Sequence, residues 1–184
     1  MTMPRKRDRG AKVEYSGNEI QIITFKLGKE TFGIRVKDIR EIVKLEDITR
    51  VPQMPDFIEG VMNLRGQITT IIDLRKLMDL PSGESSRAYS RIIVADMSNG
   101  QLGLIVDSVK EVVRISPENI TDPPKMVSSQ KAARFLAGIC KLPDQLILLV
   151  DISRVLSTEQ LEQAIKASMI VPDKSPEERP KVKR

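Results

Sequence analysis

Histidine and tryptophan are absent from this sequence, cysteine occurs once, and aromatic residues make up only 3%. Each shortage removes a class of function. Without histidine the chain lacks the commonest general base near neutral pH and the commonest metal ligand. A single cysteine, Cys140, permits no intramolecular disulfide and accords with a reducing compartment. Its setting, Ala137-Gly138-Ile139-Cys140, is apolar, so a small buried hydrophobe is the expected role rather than a reactive thiol. With so few rings, a base-stacking platform for single strands is missing, and Leu, Ile and Val have to build the core. No run approaches the roughly eighteen uninterrupted apolar residues of a membrane span. The basic start MTMPRKRDRGAK leads into no apolar signal segment, and no Gly-rich phosphate loop is present. Neither a catalytic set nor a cofactor or metal site emerges, which points away from an enzyme.

What is present suits a globular protein. The chain has 184 residues, 40% of them hydrophobic, enough for one ordinary domain or two small ones. Its net charge of +5 is concentrated at the ends: residues 1–12 carry +4 and residues 171–184 carry +2, leaving −1 on the body. Both ends contain proline and lack apolar periodicity, so residues 1–15 and 171–184 are expected to be disordered basic tails around a folded region over 16–170. Basic tails attract nucleic acid or acidic lipid. A nucleic-acid-binding β-barrel acting through those tails is therefore the alternative reading, although the near-neutral body argues against it.

An internal duplication organises that region. GVMNLRGQITTIIDLRKLM (60–78) aligns without a gap on GICKLPDQLILLVDISRVL (138–156), placing Gly60 on Gly138, Leu64 on Leu142, Gln67 on Gln145 and Asp73 on Asp151. IITFKLGKETFGIRVKDIREIV (22–43) aligns on IIVADMSNGQLGLIVDSVKEVV (92–113), placing Gly33 on Gly103, Val36 on Val106 and Glu41 on Glu111. The order of blocks is the same in both copies, and the second has eight more residues between them.

The local signals agree between copies. Ile22 to Leu27 and Thr31 to Val36 are β-rich runs around Gly-Lys-Glu; Ile92 to Met97 and Gln101 to Val106 flank Ser-Asn-Gly. Val36, Ile39, Ile42 and Val43, spaced by three and four, predict one to two helical turns. Pro-containing loops follow at 50–55 and 121–125, then strands around Leu64-Arg65-Gly66 and Leu142-Pro143-Asp144. Asp73 and Asp151 end strands before helix-like turns, where a carboxylate caps free N–H groups; capping is preferred over a catalytic pair. Gly33, Gly60, Gly103 and Gly138 are expected to serve backbone geometry or close strand approach, and Met54, Met62 and Met78 to fill core. Ser157-Thr-Glu-Gln160 has capping-box spacing before a helix with one apolar face. Short Gly-punctuated strands favour small barrels, which also remove exposed sheet edges. The join between a first unit (about 16–85) and a second (about 86–170) falls in the polar loop 79–86.

These residues resemble the CheW-type coupling proteins of prokaryotic chemotaxis. The resemblance rests on Gly33-Ile34, Ile39-Arg-Glu-Ile42, Val51-Pro52, Phe57-Ile-Glu-Gly-Val-Met-Asn-Leu-Arg-Gly66, Ile72-Asp-Leu-Arg75 and Gly103-Leu-Ile-Val-Asp-Ser-Val-Lys-Glu-Val112. It runs from about Glu19 to about Met169. It implies a mainly β fold of two interlocked five-stranded SH3-like barrels. It also implies a non-enzymatic cytoplasmic adaptor joining chemoreceptor tips to the histidine kinase CheA, through a barrel-to-barrel contact with the kinase's regulatory domain. Arg65 matches a turn arginine implicated in receptor and complex binding, and Glu41 an acidic position implicated in receptor coupling. Ile39, Ile92, Val109 and Val112 match positions around the groove between the barrels, where an apolar receptor helix could lie. From the residues alone, Arg65 could instead tie its loop to the barrel through Glu41 or Glu59, and the aliphatics could be plain core. One difference favours a further role for Arg65: the duplicate position is Pro143, so the barrel itself does not demand arginine there.

Overall fold

The computed structural model describes residues 17–81, 86–98, 100–123 and 131–170. The expected tails, the middle of the 79–86 loop and the end of the second Pro-containing loop lie outside the described residues. Each copy opens with a hairpin: β1 (Ile20–Leu27) and β2 (Glu30–Arg35), then β6 (Arg91–Met97) and β7 (Gly100–Val106). A single 3-10 turn, Val36–Asp38, leads from β2 into β3 (Ile39–Lys44), whose counterpart is β8 (Ser108–Ile115). The second block gives β4 (Ile58–Leu64), β5 (Gln67–Asp73) and a one-turn helix α1 (Leu74–Leu77) in copy one. In copy two it gives β10 (Leu136–Lys141) and β11 (Leu146–Val150), preceded by the two-residue β9 (Ile120–Thr121). A longer helix, α2 (Thr158–Ile170), ends the described chain.

The helical expectation over 36–43 is corrected here: only three residues turn, and the rest is strand. The cause is a β-bulge. Ile39 pairs with Ala95 and Glu41 with Val94, so Arg40 is the extra residue. A bulge breaks the alternation of two and lets Ile39 and Ile42 both pack on the same core, a spacing of three that mimics a helix. The β-branched side chains at Ile39, Ile42 and Val43 suit the strand better.

The two sequence copies are not the two sheets. One sheet has six strands in the order β8-β1-β2-β11-β10-β9, the other five in the order β3-β6-β7-β5-β4. Each sheet thus receives the opening hairpin of one copy and the remaining strands of the other, so units divided at 85/86 do not coincide with barrels. Exchange has a physical basis. An isolated hairpin is marginal in water, whereas insertion gives both of its edges partners. The β1–β2 hairpin lies between β8 and β11, and β6–β7 between β3 and β5, with parallel pairing at β2–β11 and β5–β7. Closure follows the same plan twice. β8 continues through a 3-10 turn to β9, which pairs with β10 at Thr121 and Ile139; β3 continues to Thr49, which bridges Val61 of β4. Each sheet so curls back on its own starting strand, as an SH3-like barrel does.

Three cores result. One barrel encloses Ile22, Ile115, Cys140, Ile147 and Leu149; the other encloses Met62, Ile71, Ile92 and Val94. The largest lies between the sheets and includes Phe25, Phe32, Ile72, Leu74, Leu104 and Phe135. Cys140 is fully buried at the position that Met62 holds in the other copy, and burial pushes its thiol pKa up. Met62 and Met78 are buried, and Met54 packs against the shared core. A Cβ on Gly33 would lie 2.9 Å from Ile147, and one on Gly103 2.6 Å from Ile71. Asp73 accepts from the N–H groups of Arg75 (2.9 Å) and Lys76 (3.4 Å), and Asp151 from that of Ser153 (3.0 Å), so both aspartates cap. The capping box forms as expected: Ser157 N–H donates to Gln160 Oε1 and Gln160 N–H to Ser157 Oγ. α2 seats buried Ala164 and Ala167 on the shared core, and Thr70 Oγ1 donates to the Ala164 carbonyl at 2.6 Å.

Candidate interaction site

The β4–β5 hairpin closes with Leu64 opposite Gln67, leaving Arg65 and Gly66 as a two-residue turn. Both have positive φ, +54° and +84°, the geometry that matches the twist of the flanking strands. The Asn63 side-chain oxygen accepts from Gly66 N–H at 2.8 Å and fixes the turn. Arginine in the left-handed region is disfavoured by roughly 1–2 kcal/mol. The hairpin therefore presents a side chain that its own backbone geometry does not favour.

That side chain reaches β3. Nε and Nη2 of Arg65 both lie 3.1 Å from Oε2 of Glu41. The carboxylate side chain is 19% exposed and the guanidinium 83% exposed, so the pair is anchored on the Glu41 side and open on the Arg65 side. Such a partly exposed pair contributes about 0.2–1 kcal/mol, less than a scaffold would need to justify a strained turn. Arginine carries five N–H donors; with two directed at one oxygen, the others remain available to a planar acceptor. The neighbouring bulge residue Arg40 pairs with Asp96 at 3.2 Å, so two ion pairs lie along the start of β3. Glu59, the other partner considered for Arg65, is instead paired with Lys76.

The structure thus brings Arg65 and Glu41 together and separates the aliphatic candidates. Ile39 and Val109 are duplicate positions on β3 and β8; each is half-buried against the shared core. Val112 is 57% exposed and lies opposite half-buried Ile23 of β1, forming an apolar cross-strand pair at the surface. Ile92 does not belong to a surface: it is fully buried inside the five-stranded barrel. β6 is flanked by β3 and β7 and buried on both faces, so every aliphatic in its centre is core. Ile23 and the Arg40–Asp96 pair went unselected in the sequence, because only the β1–β8 and β3–β6 registers reveal them.

Comparisons with known proteins fit this geometry. The family model described as a CheW-like domain matches residues 21–160. Chemotaxis protein CheW of Klebsiella aerogenes is 35% identical over 141 residues, covering 77% of this chain and 84% of that protein. Chemotaxis protein CheW of Treponema pallidum is 28% identical over 163 residues, covering 87% and 95%. The crystal structure of the scaffolding protein TtCheW from Thermoanaerobacter tengcongensis superposes with a TM-score of 0.71 at 34% identity, covering 80% of this chain and 94% of that one. Nothing in these matches supports the nucleic-acid-binding alternative. With the duplicated blocks, the exchanged hairpins and these relatives in agreement, the chain belongs to the CheW-like family.

Proposed function

We propose that this chain is a non-enzymatic chemotaxis scaffold that couples the cytoplasmic tips of chemoreceptors to the histidine kinase CheA. Family membership supports the scaffold role, and relatives named as chemotaxis proteins and as a scaffolding protein support the pathway. Among the described residues no helix is long and apolar enough to cross a membrane. The scaffold works in the cytoplasm and joins membrane-associated receptor arrays through its partners. One observation carries the choice of binding residues: Arg65 occupies a disfavoured left-handed turn, is held by Glu41 on one edge only, and has no counterpart in the second copy. Val112, Ile23 and Val109 supply apolar surface on the other barrel, so two partners can be held at separate places on one rigid body.

Co-sedimentation of the full chain with a kinase regulatory domain and with a receptor tip fragment tests the coupling. Both are expected to bind, and simultaneously. Arg65→Ala is expected to weaken assembly at least tenfold while the thermal unfolding midpoint moves by a few degrees or less. If wild-type chain binds neither partner, the coupling reading is wrong. If Arg65→Ala binds normally but melts much earlier, Arg65 belongs to the scaffold and not to the interface.

A further inference from the structure

The chain crosses from one sheet to the other twice, at equivalent places, and the two crossings are built differently. After β7 the crossing residue is Asp107, buried at 9% exposure. Its Oδ2 accepts from Gly28 N–H of the β1–β2 turn at 2.7 Å, and its Oδ1 lies 3.4 Å from Nε of Arg75 on α1. Hairpin, crossing and helix are tied there by one carboxylate. By the duplication, Asp107 corresponds to Lys37, Gly28 to Ser98 and Arg75 to Ser153. At the β2–β3 crossing no equivalent tie is made among the described residues. Instead a cleft of about 410 Å³ opens, lined by Lys37, Ser98 and Ser153, with Ile39, Met97 and Leu161 as apolar walls. Leu161 comes from α2, an element the first copy lacks.

Charge decides what the cleft can take. Three aspartates line it, and each is already held by its own arginine: Asp38 by Arg35 (2.9 Å), Asp96 by Arg40 (3.2 Å) and Asp151 by Arg154 (3.2 Å). Lys37 is exposed and has no ion-pair or hydrogen-bond partner among the described residues. The closed crossing matches an anion on the chain with a cation from the neighbouring turn. The open one has the cation in the chain and, where a matching anion would come from, only Ser153, whose hydroxyl donates to Asp151 at 2.5 Å.

We infer that this cleft is a second docking site, which receives an acidic side chain carried on an apolar segment of a partner protein. The partner's carboxylate sits against Lys37, within reach of the Ser98 hydroxyl, and its flanking apolar residues cover Ile39, Met97 and Leu161. The scaffold reading enters only in naming the partners in which such a segment is sought.

The test uses full-length chain with isotopically labelled methyl groups and two amphipathic helical peptides, leucine-rich and differing only in bearing glutamate or lysine at their polar positions. The glutamate peptide is expected to shift the Ile39, Met97 and Leu161 methyl signals, and the lysine peptide to leave them unmoved. Lys37→Glu is expected to weaken the glutamate peptide about tenfold. The double variant Lys37→Asp with Ser153→Arg rebuilds the closed crossing; it is expected to abolish the shifts and to keep or raise the melting temperature. Methyl signals that ignore the glutamate peptide, or respond equally to both peptides, overturn the inference, as does undiminished binding by Lys37→Glu. Kinase and receptor fragments added to wild-type chain form a separate arm. Their failure to bind refutes the coupling role and leaves the peptide result standing.

Discussion

An arginine held at φ +54° gives up roughly 1–2 kcal/mol that asparagine at the same place would largely keep. Its pair with Glu41 returns about 0.2–1 kcal/mol. The gain falls short of the cost, so stability offers no reason for arginine in this turn, whereas the proposed binding role does. Arg65→Asn should therefore leave the free energy of urea unfolding within about 1 kcal/mol of wild type while partner affinity falls as in Arg65→Ala. A loss above about 2 kcal/mol would show that the Glu41 pair holds the barrel together. Arg65 was conspicuous in the sequence because the duplicate carries Pro143. Its connection to Glu41, 24 positions away, was one of two options until the strands were placed. Ile92 shows the opposite limit. In the run Arg91-Ile-Ile-Val-Ala95 both faces are apolar, and no alternation marks which residues reach a surface.

Elements were most legible where a local rule is strict and least where a bulge interferes. Hairpins, both aspartate caps and the Ser157–Gln160 box could be read from spacing, because turn and cap chemistry involves residues within four positions of each other. The β3 and β8 bulges could not. In β8 the register shift opposite Ile23 and Phe25 takes up residues 110 and 111, where Thr24 Oγ1 donates to the Glu111 carbonyl and accepts from its N–H. This makes Val109 and Val112 neighbours at a spacing of three, as at Ile39 and Ile42. Glycine demands in the closing bridges differ in severity between copies. Gly60 has φ +147°, and a Cβ there would stand 2.2 Å from the Thr49 carbonyl oxygen, against the bridge that closes the five-stranded barrel. At Gly138 the nearest atom is a side-chain methyl of Ile120 at 2.7 Å, and the Thr121 carbonyl oxygen stands farther off at 3.1 Å. Gly60→Ala is expected to cost on the order of 3–4 kcal/mol, and Gly138→Ala clearly less, by equilibrium denaturation. Equal costs would show that the two closures are not distinguished by backbone contact.

At the scale of the whole molecule, the duplication was visible in the sequence but the exchange of hairpins was not. Alignment of 22–43 on 92–113 says that two units are alike, and contains no term for which unit a hairpin joins. That choice is made by long-range pairing, Phe32 with Leu148 and Ile71 with Gly103, beyond any periodicity. The exchange has a thermodynamic consequence. Opening either barrel alone pulls apart strands drawn from both copies and exposes the shared core. The two barrels should therefore unfold as one cooperative unit, although each has a private interior. Native-state hydrogen exchange measures this directly: the slowest amides of β2 and β11 and those of β5 and β7 should report the same opening free energy and the same denaturant dependence. If one sheet exchanges through an opening several kcal/mol lower than the other, the barrels are independent folding units and the interlock is only topological. A common value would mean that the two proposed binding faces are held in fixed relation by a body with no weaker half.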